Sequence, residues 1–64
     1  MLKYLNENAH ELFEGKKLTW RGKVYWANMT TNEVYAMDAS EYSTGRLFGT
    51  KVANIDDSFN IVKE

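Results

Sequence analysis

Sixty-four residues with no cysteine and a single histidine describe one small domain held by packing alone, since disulfide frameworks and the common zinc frameworks need thiols or several imidazoles. Hydrophobic residues make up 44% of the chain, with two Trp, four Tyr and three Phe, enough for one core near the lower size limit of an unaided fold. A formal net charge of −1 sets up no global field toward nucleic acid or anionic membrane, and no apolar run approaches the ~20 residues of a membrane span.

Leu2, Leu5, Ala9, Leu12 and Phe13 recur at helical spacing and predict an amphipathic helix over about residues 2–14. Gly15 follows where a left-handed C-terminal cap is favoured. Asn8 with Glu11 three residues later forms a capping-box-like pair that would shorten this helix. Because Leu2 and Leu5 continue the same stripe, the earlier start is the expectation.

The next stretch, Leu18 to Trp26 (LTWRGKVYW), reads in two ways. As one strand over about 17–28, Leu18, Trp20, Val24 and Trp26 fall on one side and Thr19, Arg21, Lys23 and Tyr25 on the other, with Gly22 marking a bend. As a two-residue hairpin at Arg21-Gly22, it would pair Trp20 with Lys23 and split the apolar set between two faces. Arg-Gly lacks the Asn-Gly or Asp-Gly chemistry of such turns, so the continuous strand, with both indoles inward, is the expectation.

Thr30-Thr31-Asn32 predicts a turn, and Glu33 to Asp38 a strand with Val34 and Ala36 on one face, Tyr35 and Met37 on the other, and both faces partly buried. Asp38 with Glu41 suits a single helical turn through Tyr42, ended by a turn at Ser43-Thr44-Gly45. A strand over about 46–55 with a bend at Gly49, a turn at Asp56-Asp57-Ser58 and a strand over 59–63 complete the chain. The sum is an α+β single domain: a short N-terminal helix packed on a four-stranded antiparallel meander, either open or curled into a small SH3/OB-like barrel. With no proline in the chain, edge strands depend on charges such as Lys51 and Lys63, or on a partner.

Catalytic chemistry finds little footing. His10-Glu11-Leu12-Phe13-Glu14 has the first half of a helical zinc-protease pattern, but Glu14 stands where the second histidine belongs, and an exposed histidine on an acidic helix face is expected instead. Asp56, Ser58 and Asn60 have the alternate oxygens that open a calcium loop, without its central glycine or closing glutamate, and read as a polar turn. Gly45 to Gly49 lacks the following helix and Lys-Ser/Thr pair of a phosphate loop. A serine or threonine nucleophile would have only His10 as base. A non-enzyme without cofactor or metal is the expectation.

What remains is surface. Residues 16–32 carry four positive charges and 33–45 three negative ones, blocks that would orient a docking partner. The outward row Arg21, Lys23 and Tyr25, with Tyr35 beside it on the next strand, is the candidate partner-binding surface. Enrichment in Trp, Tyr, Met and Arg favours a protein partner, which makes the chain an adaptor or an inhibitor, in the setting of a cytoplasmic phage-type or bacterial regulator. The same basic and aromatic stripe would alternatively bind single-stranded nucleic acid by phosphate neutralisation and base stacking. Self-association is a further expectation for so small a core.

Overall fold

The computed structural model describes residues 1–45 and 48–64. The helix expected over about 2–14 is two helices, α1 (Leu2–Glu7) and α2 (Ala9–Phe13), divided at Asn8. Asn8 Nδ2 donates back to the Tyr4 carbonyl at 2.9 Å and makes no side-chain cap to the second helix, so this residue closes α1 instead of opening a longer one. The apolar stripe survives the break, since Leu5 and Leu12 are both fully buried. Gly15, at φ +87°, ends α2 as expected: Lys16 N–H donates to the Glu11 carbonyl and Gly15 N–H to the Leu12 carbonyl, the paired bonds of a Schellman cap.

Five strands follow: β1 (Leu18–Trp20), β2 (Lys23–Asn28), β3 (Glu33–Asp38), β4 (Thr50–Ile55) and β5 (Ile61–Lys63), with α3 (Ala39–Ser43) between β3 and β4. They pair antiparallel in chain order, and the sheet curls into a half-barrel with β1 and β5 as its edges.

The strand expected over 17–28 is instead a two-residue hairpin, which raises the strand count to five. Arg21 (φ +48°) and Gly22 (φ +76°) are both left-handed, as the hairpin's tight turn requires, and Leu18 pairs with Tyr25, Thr19 with Val24 and Trp20 with Lys23. Two contacts offset the cost of a left-handed arginine. Its guanidinium lies 4.7 Å over the Trp20 ring, and the Gly22 carbonyl accepts from Ala39 N–H at 2.9 Å, tying the hairpin tip to the start of α3.

The strand expected over about 46–55 starts at Thr50; its positions 46 and 47 lie outside the described residues, and Gly49 precedes the strand. The last strand is shorter than 59–63 because Asp56 Oδ1 accepts from the N–H groups of both Ser58 and Asn60. That loop leaves Phe59 left-handed at φ +62°, its ring edge-on to Phe13 at 5.8 Å.

One sheet face meets α1 and α2 in the main core, where Leu18, Tyr25, Val34, Ala36, Ala53, Ile55 and Ile61 surround Leu5 and Leu12. The other face is also partly dry: the cross-strand partners Val24 and Met37 are buried outside that cluster. Burial on both faces accommodates the split of the apolar residues of Leu18 to Trp26 between them.

Helix α1 also closes an edge of the sheet. Asn6 Nδ2 donates to the Ile61 carbonyl at 2.8 Å and Asn6 Oδ1 accepts from Ile61 N–H at 2.9 Å, so a side-chain amide takes the place of a neighbouring strand.

Candidate functional site: an aromatic sheet face

The hairpin decides which rings face away from the helices. Because Trp26 alternates with Tyr25, burying Tyr25 in the core turns Trp26 to the second face. There it meets its cross-strand partner Tyr35, with ring centroids 6.3 Å apart and planes within 16°. Gly49 lets the main chain pass directly against the Trp26 ring, since a Cβ at that position would stand 2.5 Å from Trp26 Cη2. Phe48, the residue before it, is 91% exposed.

A bulge in β4 supplies the polar side of the site. Val34 pairs with Ala53 but Tyr35 pairs with Lys51, which leaves Val52 as the extra residue. In an unbroken strand, 51 and 53 would share a face. The bulge instead sends Ala53 into the core and Lys51 to the side of Tyr35, where its Nζ is 3.2 Å from Glu33 Oε2. Tyr35 completes the chain by donating its hydroxyl to Glu33 Oε1 at 2.7 Å. The hydrogen bond from Tyr35, with those of Thr31 and Lys51, holds the Glu33 carboxyl below its ordinary value, and the same bond to Glu33 raises the Tyr35 phenol.

Two clefts flank Phe48. One, of about 290 Å³, is lined by Trp26, Asn28, Tyr35, Phe48 and Gly49. The other, of about 250 Å³ at the end of the sheet, has Lys23, Asp38, Glu41 and Phe48 among its lining residues.

The row expected from Arg21, Lys23, Tyr25 and Tyr35 is not assembled. Tyr25 is only 3% exposed, and burial, with a smaller effect of Tyr4, raises its phenol. Arg21 lies on Trp20, which is itself stacked on Tyr4 at 5.3 Å. Lys23 lines the end cleft, and Tyr35 alone of the four belongs to the aromatic face. The indoles expected inward are both half-buried, on opposite faces.

Sequence reasoning missed Trp26, Phe48 and Gly49 as parts of a surface. Trp26 was within reach of the hairpin reading, which places it opposite Trp20; Phe48 left no such signal inside a segment read as one strand. Elsewhere, His10 Nε2 lies 2.9 Å from Glu14 Oε2 on an exposed helix face. Among the described residues no group of three or more His, Cys, Asp or Glu is placed to hold a metal ion, and no helix is long and apolar enough to cross a membrane. Compared with protein-family models, with curated proteins and with solved structures, the chain finds no match.

Proposed function

We propose that this chain is a small non-enzymatic protein-binding module, acting as an adaptor or as an inhibitor that occludes a partner's working surface through its Trp26–Tyr35–Phe48 face. The observation that supports this reading is the Phe48 ring, 91% exposed beside two stacked aromatic rings. A large apolar side chain left in water next to half-buried aromatics is the composition of an interface centre. Neighbouring charge is internally matched, because Lys51 is committed to Glu33. Immobilised wild-type protein should retain a discrete partner from lysate that Phe48→Ala loses while its melting temperature stays unchanged. Retention that is the same for both proteins would reject the reading.

Single-stranded nucleic acid is the second reading, supported by the same stacked rings on a sheet face. Against it, the cation beside those rings is neutralised by Glu33 and the Arg21 guanidinium is stacked on Trp20. Labelled oligonucleotides titrated at low salt should show binding that weakens steeply as salt rises if this reading holds; no binding at low salt would remove it.

A further inference from the structure

The two clefts on either side of Phe48 differ in chemistry, and together they specify more than an apolar patch would. Rings and a glycine main chain line the first. In it Asn28 Oδ1 is occupied by the N–H groups of Thr30 and Thr31, which leaves its Nδ2 as the group able to donate to a ligand carbonyl. Among the described residues, the second cleft sets two carboxylates, Asp38 and Glu41, against one ammonium, Lys23.

Three ways of docking a peptide on a sheet domain can be weighed against these observations. Strand addition needs an open edge, yet Asn6 already holds both backbone groups of Ile61 on β5, and the Thr19 carbonyl of β1 accepts from the Tyr4 hydroxyl at 3.4 Å. A bound helix needs a continuous groove for a cylinder ~10 Å across, whereas here Phe48 stands between two small clefts. An extended polyproline II segment needs shallow aromatic-walled slots and a donor for its carbonyls, since proline keeps an acceptor and no donor. The aromatic cleft provides both.

We propose that this face binds an extended, proline-containing peptide segment of a partner protein, its prolyl rings against Trp26, Tyr35 and Phe48 and a flanking arginine or lysine facing Asp38 and Glu41. The inference rests on the protein-binding reading and specifies the partner's chemistry. Charge complementarity sets the polarity of docking: apolar rings enter the neutral cleft, and the cation enters the one with excess negative charge.

The test is an array of fluorescein-labelled dodecapeptides with a Pro-X-X-Pro core and an arginine at each flanking position, read by fluorescence anisotropy against the full chain. Parallel sets carry glutamate for the arginine, or alanine for both prolines. At least one arginine register should bind, and both replacement sets should bind at least about tenfold more weakly. Phe48→Ala should abolish binding. The double change Asp38→Asn with Glu41→Gln should erase the preference for arginine over glutamate while leaving the proline requirement; Asp38 makes no side-chain cap to α3, and an unchanged melting temperature checks that the variant keeps the fold.

Silence of the whole array at about 1 mM peptide overturns the inference. If a lysate partner is nevertheless retained by wild type and lost on Phe48→Ala, the protein-binding reading stands without it; loss of both results removes both. Equal binding of the arginine and glutamate sets, or binding that survives Phe48→Ala, also overturns it.

Discussion

Gly49 lies against the Trp26 ring so closely that a Cβ would stand 2.5 Å from Cη2 and 2.6 Å from Cζ2, with the Ala36 carbonyl oxygen 3.2 Å away. Neither the ring nor the strand can yield freely, because Trp26 is stacked on Tyr35 and the Ala36 oxygen belongs to the sheet. Gly49→Ala should therefore destabilise the fold by ~1–3 kcal/mol as an overpacking change, and shift the Trp26 fluorescence. Melting temperature and emission spectrum, with Trp20→Phe as background to isolate Trp26, check both expectations.

The hairpin makes a prediction of opposite sign from a continuous strand. A Cβ at Gly22 would meet nothing within 4 Å, so any penalty for a side chain there comes from its φ of +76°. Valine would favour a strand, but a β-branched residue in the left-handed region is strained. Gly22→Val should cost at least ~1 kcal/mol in urea denaturation. A stabilised variant would refute the turn.

Asn6 substitutes for a missing strand at Ile61, and its removal exposes that role. Asn6→Ala leaves the Ile61 N–H and carbonyl without their partner in a part-buried setting, at a cost of ~1–3 kcal/mol. For a domain of this size, each kcal/mol corresponds to a fall of roughly 4–8 °C in melting temperature. The uncovered edge should also raise the tendency to aggregate, measurable by light scattering on heating.

Glu33 links stability to acid. Its carboxyl lies lower in the folded chain than its ordinary value, chiefly through the Tyr35 hydrogen bond, so it contributes stability that is present above that ordinary value and fades as pH falls through the folded one. Glu33→Gln should be less stable than wild type at neutral pH, with the gap closing in acid below the folded value. The Tyr35 phenol, raised by Glu33, adds the reverse dependence at high pH: its contribution is present below the ordinary phenol value and fades as pH rises through the folded one. Urea midpoints of the two proteins across pH measure both limbs.

Much of the framework was legible in local chemistry. The glycine cap at Gly15, the turn at Thr30-Thr31-Asn32 and the two faces of Glu33 to Asp38 depend on residues adjacent in the chain, and they stand as read. Amphipathic spacing also placed Leu5 and Leu12 in the core across the break at Asn8. What failed along Leu18 to Trp26 was the assumption of a single dry face and the rejection of Arg-Gly as a turn, whereas the helix break at Asn8 and the short last strand come from side-chain hydrogen bonds to the backbone. Alternation along Leu18 to Trp26 is compatible with two topologies, and choosing between them requires knowing whether the second face is covered. Burial of Val24 and Met37 answers that; Glu33 to Asp38 read as partly dry on both faces, but nothing within Leu18 to Trp26 says that its own second face is covered.

The aromatic surface had the same origin. Amino-acid order determined the turn at Thr30-Thr31-Asn32, the helical stripe and an alternation of period two. Tertiary structure alone decided that Tyr25 goes into the core and Trp26 to the opposite face, that a bulge at Val52 brings Lys51 to Glu33, and that Phe48 stands in water. Backbone preferences act over a few residues and are written locally, whereas exclusion of water from a side chain depends on segments that meet only once the chain has folded.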